Sequence, residues 1–168
     1  MDHHLNANDT PLHEACIRAD TKLALSLIEH GDVHARDMNG MTPLHLACDL
    51  LEVTIALLDR GADVNARGIY QYTPLLVACR WYGKIEAMMA LLDRGADIYG
   101  RDKNLWTPLH HACYNGNTEA IMVLLDRGAD VYAIDKDRRT SLHYACVNGK
   151  MDSINALVDR GAGVYCKR

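Results

Sequence analysis

The sequence predicts an all-α protein built of five consecutive helix–turn–helix units, and three observations predict it. The block Thr-Pro-Leu-His-x-Ala-Cys occupies residues 10–16, 42–48 and 107–113, with looser copies at 73–79 and 140–146. A second block, Asp-Arg-Gly-Ala, trails it from Asp59, Asp93, Asp126 and Asp159, and a first copy around Gly31 has lost one residue. Successive threonines stand 32, 31, 34 and 33 residues apart, a period at which a chain stacks repeated supersecondary units instead of closing one globular core. The third observation is that the apolar residues between the blocks recur at helical spacing.

Each unit can be read in order. Threonine followed by proline is a helix start, with the hydroxyl as N-cap and proline at the first helical position, where its missing N–H costs nothing. The Leu, Ala and Cys that follow fall on one buried face. Gly83, Gly116 and Gly149 mark a break at which the chain turns in left-handed conformation and begins a second helix. In the fourth unit that helix carries Ala120, Ile121, Leu124 and Leu125 as one apolar stripe. The glycine of the second block then ends it. Residues 130–139 and their counterparts are polar and turn-like, and connect one helix pair to the next. The units run approximately 5–36, 37–67, 68–101, 102–134 and 135–168.

The TPLH block, the inter-helix glycine, the paired leucines and the GADVN-type ending together resemble the ankyrin repeat, over residues 5–168. The resemblance implies an all-α ankyrin repeat solenoid, in which five helix–turn–helix units stack as one domain over 1–168 and β-hairpin loops project without forming a continuous sheet. It also implies that the histidines of the block, His13, His45, His110 and His143, bond to the threonine and tether neighbouring units. Four departures carry expectations of their own. Leu76 replaces the histidine in the third unit, and Ser141 replaces the proline in the fifth. The second unit lacks two residues between Cys48 and Leu51, so its first helix or its turn must be altered. Gly40 holds the hairpin glycine of the second unit, whereas Gln71, Leu105 and Arg138 replace it later, which predicts less regular tips.

Composition narrows the function. Of 168 residues, 49% are hydrophobic and 24% charged, and 22 acids against 18 bases give a net charge of -4. A nucleic-acid binder would carry a basic excess, so no nucleic-acid partner is expected. Apolar runs stay well short of the ~20 residues of a membrane span, and the start, Met1-Asp2-His3-His4, has neither the basic end nor the apolar stretch of a signal peptide. The expectation is an intracellular protein, in cytoplasm or nucleus, or in a host's cytosol for a pathogen effector. No membrane insertion and a monomeric state are expected with it.

Six cysteines and nine histidines invite a metal hypothesis, and spacing argues against it. Cys16, Cys48, Cys79, Cys113 and Cys146 fill one equivalent slot per unit, so stacking holds them about a repeat apart, too far for a tetrahedral site or a disulfide. A thiol there acts as a small hydrophobe, and Cys166 is the cysteine expected to be exposed. His110 and His111 are adjacent on a helix and point in different directions, which leaves no catalytic pair. With no phosphate loop, nucleophile elbow or carboxylate pair, the sequence predicts neither an enzyme nor a cofactor.

In the family that the repeats resemble, partners bind on the concave side, at hairpin tips and exposed first-helix positions. Both tryptophans and four of the eight tyrosines fall at such positions, crowded into the third and fourth units. Large, rigid aromatics with a polar edge dominate binding hot spots, so Tyr70, Tyr72, Trp81, Tyr82, Trp106 and Tyr114 are the candidate partner-binding residues, with Lys103 and Arg139 beside them. Neither tryptophan belongs to the repeated core pattern, so truncating either should weaken binding rather than the fold. Lys136 and Arg138 add positive charge that suits an acidic rim on the partner. The expected function is a non-catalytic module that binds another protein. The alternative is a regulatory or structural ankyrin segment of a larger enzyme, channel or pathogen effector.

Overall fold

The computed structural model describes residues 9–81 and 84–163. Its helices are α1 (Pro11–Ile17), α2 (Thr21–Ile28), α3 (Pro43–Leu46), α4 (Leu51–Asp59), α5 (Pro74–Arg80), α6 (Ile85–Asp93), α7 (Pro108–Asn115), α8 (Thr118–Asp126), α9 (Ser141–Asn148) and α10 (Met151–Asp159). The all-α class is as expected: the described residues contain no strand, and the only strand-like pairing among them is an antiparallel bridge between Ile134 and Thr140. The chain forms two compact units, residues 1–97 and 98–168. In the first, α1, α3 and α5 pack in succession, as do α2, α4 and α6; in the second, α7 packs on α9 and α8 on α10.

Each first helix begins where its threonine sits. The hydroxyls of Thr10, Thr73 and Thr107 accept the backbone N–H three residues on, at 3.3 to 3.4 Å. The histidines work as the resemblance implied, and the hydrogen bonds fix their protonation. Nδ1 of His13, His45, His110 and His143 accepts the backbone N–H of the unit's own threonine at 3.0 to 3.2 Å. The proton therefore lies on Nε2, which in His13, His45 and His110 donates to the carbonyl of Met41, Tyr72 and Arg139 in the following repeat. Leu76 is as buried as these rings but has no such donor.

Second helices bury residues at i, i+1 and i+4, such as Val53, Thr54 and Leu57, or Ala120, Ile121 and Leu124. Gly61, Gly95, Gly128 and Gly161 stop them at φ +82 to +89°. The following alanine N–H then bonds five residues back, as from Ala62 to the Leu57 carbonyl at 3.0 Å, which satisfies an orphan carbonyl. Asn65, Tyr99 and Tyr132 do one job with two chemistries: each donates to the carbonyl of the next repeat's helix-ending glycine, Gly95, Gly128 or Gly161.

The two-residue deletion shortens the first helix. α3 has four residues where its counterparts have seven or eight. The carbonyl of Ala47 is then taken up by the Thr54 hydroxyl at 2.7 Å and the Leu50 N–H at 2.8 Å.

The tips correct an expectation. Gln71, Leu105 and Arg138 adopt φ +61 to +63°, close to the +68° of Gly40, and all four tips close with the same pair of backbone bonds, such as Asp102 N–H to Trp106 carbonyl and Leu105 N–H to Asp102 carbonyl. Regular geometry is kept at the cost of left-handed strain on a side chain, ~1–2 kcal/mol for a non-glycine residue. Leu105→Gly is expected to stabilise the second unit by up to ~1 kcal/mol, after the entropy lost with glycine, read as a rise in melting temperature.

Cys16, Cys48, Cys79 and Cys113 are buried as predicted, but Cys146 is exposed. The Cys48 slot is closed by the following first helix, where Cys48 meets the Pro74 carbonyl, and no described first helix follows α9.

Candidate functional site

In the first unit the aromatic residues gather where the third hairpin meets the end of α5. Trp81 is the C-cap of α5, and Tyr72 lies between it and Tyr70, with ring centroids 5.7 Å from Trp81 and 6.3 Å from Tyr70. The Arg80 guanidinium lies over both neighbouring faces, 5.5 Å from Tyr72 and 5.3 Å from Trp81, at cation–π distance. Tyr70 and Trp81 are exposed by 47% and 40%, with Ile69 at the tip beside them. Tyr72 does not project as expected; its ring is buried beneath the hairpin, and its carbonyl takes the His45 proton. Gly68 shapes the same tip. A Cβ there would come within 2.6 Å of Met41 Sδ, so the Met41 side chain would have to move to admit the aspartate that stands at Asp37, Asp102 and Asp135 in the other tips. Tyr82 lies outside the described residues.

In the second unit Trp106 is the centre of a ring cluster. Its centroid lies 4.5 Å from Tyr144, 5.0 Å from His111, 5.4 Å from Tyr114 and 6.4 Å from His110. The indole is half-buried, so Trp106 belongs to the packing of α7 against α9 as well as to the surface. This packing argues against the expectation that its truncation would spare the fold. Tyr114, 56% exposed, and Val147, 84% exposed, continue the apolar surface toward the helix ends, while Lys103 and Arg139 are exposed on the tips.

Buried carboxylates hold these tips. Asp102 Oδ1 accepts the N–H groups of Asn104 and Trp106 at 2.7 and 3.0 Å, and Oδ2 meets His111 Nε2 at 3.1 Å. Asp135 repeats the arrangement with the N–H groups of Asp137 and Arg139, and with the Tyr144 hydroxyl in place of the imidazole. Burial alone would raise the pKa of either carboxylate. The hydrogen bonds from His111 and Tyr144, and from the tip N–H groups, outweigh it and hold both acids below the usual carboxylate range. The repeat pattern marked neither His111 nor Tyr144 as the partner of a tip carboxylate. The helix residue just after the histidine slot is polar in these two repeats and is Val77 where the tip has Gly68, but Leu46 stands there in the repeat whose tip has Asp37, so the slot alone does not mark the pair.

Both nitrogens of His110 are engaged, with Thr107 and with the Arg139 carbonyl, and His111 is occupied by Asp102. Burial pushes the Cys16 and Cys79 thiols up to about 12 and Cys48 higher still, which disfavours the thiolate at neutral pH. Among the described residues no group of three or more His, Cys, Asp or Glu is placed to hold a metal ion, and no helix is long and apolar enough to cross a membrane.

Comparison with known proteins bears on these surfaces. Residues 1–68 and 75–168 match the family model described as ankyrin repeats (3 copies). Relatives include a putative ankyrin repeat protein, FPV233, of Fowlpox virus (strain NVSL), 43% identical over 40% of this chain and 14% of its own length. NF-kappa-B inhibitor alpha of Sus scrofa is 42% identical over 34% of this chain and 20% of its length. Protein phosphatase 1 regulatory subunit 27 of Mus musculus is 42% identical over 33% and 38%. The matched segment is thus well under half of each of these relatives.

Proposed function

The chain belongs to the ankyrin repeat family, a protein-interaction module, and from that premise we propose that it is a non-catalytic, intracellular binding module that engages a partner protein through its hairpin tips and first helices. The observation that carries this reading is the exposure of Tyr70, Trp81 and Tyr114 at those positions, while the repeated apolar residues Leu12, Leu44, Leu75 and Leu109 of the first helices are buried. An aromatic side chain left half in water is costly to solvate and inexpensive to immobilise, which is why such residues anchor interfaces. Lys103 and Arg139 flank the surface of the second unit. Tyr72 supports the anchors of the first unit from below, Trp106 packs against Tyr114 and shares its surface, and the protein acts as a monomer.

The test is an affinity capture from cell lysate by the wild-type chain and by a Tyr70→Ala, Trp81→Ala, Tyr114→Ala variant. A protein retained by the first and lost by the second, with the circular dichroism of the two superimposable, is the expected result. Equal capture by both would place the binding surface elsewhere. A second reading is favoured by the small share of its relatives that the chain spans: a regulatory segment of a longer protein, in which these surfaces would hold another part of the same polypeptide.

A further inference from the structure

We propose that the second unit takes an acidic linear segment of the partner, with one large apolar side chain of that segment seated on Trp106, Tyr114 and Val147; this deepens the protein-binding reading and rests on it. Charge is the first argument. Lys103, Lys136, Arg138 and Arg139 are all exposed on the fourth and fifth tips, and the Lys136 N–H bonds to the Asn104 carbonyl at 3.2 Å, which sets the two tips side by side. Three acids share these tips, but Asp102 and Asp135 are buried and consumed by His111, Tyr144 and the tip N–H groups. Only Asp137 faces water, 3.8 Å from Arg139. The tips therefore present a positive face on a chain whose net charge is -4. In the first unit the corresponding residues, 37–41 and 68–72, include no lysine or arginine, so the charge is a property of this unit and not of the repeat.

The apolar seat is the second argument. Tyr114 and Val147 hold equivalent positions, seven residues past Thr107 and Thr140, and the Asn148 side chain donates to the Tyr114 carbonyl at 2.7 Å, which draws the two helix ends together. Trp106 and Tyr114, at 5.4 Å, form one wall of the seat, and Val147 lies one helical turn beyond the buried Tyr144. Few exposed apolar side chains are involved, well short of the ~800 Å² per partner of a standard interface between folded proteins. A surface of this size and charge suits a single anchor flanked by carboxylates, whose long-range attraction speeds encounter and weakens with salt.

The experiment selects from a random dodecamer library displayed on phage, with the full chain immobilised, and then measures synthetic copies of the enriched peptides by fluorescence anisotropy. Enriched peptides are expected to carry net negative charge around one aromatic or large aliphatic residue. Their affinity should fall at least ~10-fold in a Lys136→Glu, Arg138→Glu variant and weaken several-fold between about 50 and 300 mM salt. The same double charge reversal at exposed cations of the first unit away from the tips, Lys22→Glu with Lys84→Glu, should leave it unchanged. Neutral or basic winners, acidic winners indifferent to the charge reversal, or no enrichment at all would each overturn the proposal. In any of those cases, a partner captured from lysate through the aromatic residues would leave the broader protein-binding reading standing, so the two failures are separable.

Discussion

Acidification from pH 7 to pH 5 is expected to cost the first unit about 2 kcal/mol through His45 alone, rising to about 3 kcal/mol by pH 4. The cause is the ring's position. Burial lowers its pKa to about 4, and the bond from Nε2 to the Tyr72 carbonyl opposes this only in part. In the unfolded chain the same ring titrates near 6.5. Between these values the unfolded state binds the extra proton and the folded state does not, so stability is complete above about 6.5 and is lost as pH falls through about 4. Protonating Nδ1 would also set an N–H against the Thr42 N–H that it now accepts. His110 is lowered for the same first reason, burial, and works in the same direction in the second unit. Asp102 and Asp135, held below the usual carboxylate range, stay ionised through this window and add their loss only at lower pH. The check is the urea midpoint at pH 7 and pH 5 for the wild type and for His45→Leu, a residue that the third repeat carries natively in this slot as Leu76. The variant should be less stable at pH 7 and show a smaller drop on acidification. An undiminished drop in the variant would assign the acid sensitivity to another group.

The parts of the fold that repeat were legible because each repetition is an independent statement of the same local physics. Threonine at five starts, followed by proline at four and by Ser141 at the fifth, names the N-cap. The glycines at 61, 95, 128 and 161 name the helix ends, and the structure puts all four in left-handed conformation. The missing residues after Cys48 announced a disturbance, although only the structure shows that it is α3 that gives way and Thr54 that repairs the exposed carbonyl. What was hidden depends on directions that no periodicity encodes. Gln71, Leu105 and Arg138 looked like irregular tips because side chains disfavour positive φ, yet the closing bonds of the hairpin were strong enough to impose it. Tyr72 and Trp106 sit in the same pre-threonine slot as Met41 and Arg139, and hydrophobic identity could not say which would turn inward. The Asp102–His111 and Asp135–Tyr144 pairs join a tip to a helix nine residues away, a spacing outside any helical or hairpin pattern.

Trp106→Ala is expected to destabilise the second unit by ~2–3 kcal/mol, whereas Tyr114→Ala should cost about 1 kcal/mol or less. The indole is half-buried among four rings, and its removal leaves a hole lined by Tyr144, His111 and His110 that the backbone cannot fill. It also uncovers the Asp102–His111 pair to water, which weakens the attraction holding the fourth tip. Tyr114 touches the same cluster but already gives most of its surface to solvent. Thermal or urea unfolding followed by Trp81 fluorescence would not report on this unit, so amide hydrogen exchange across α7 and α9 is the appropriate measurement. Protection there should fall in Trp106→Ala and hold in Tyr114→Ala. The contrast matters for interpreting any binding loss: a partner that releases Trp106→Ala but keeps Tyr114→Ala is responding to a damaged fold, whereas one that releases Tyr114→Ala while the exchange pattern is intact is responding to the loss of an anchor. Equal protection in the two variants would make Trp106 an anchor in its own right, with the aromatic cluster contributing recognition and not cohesion.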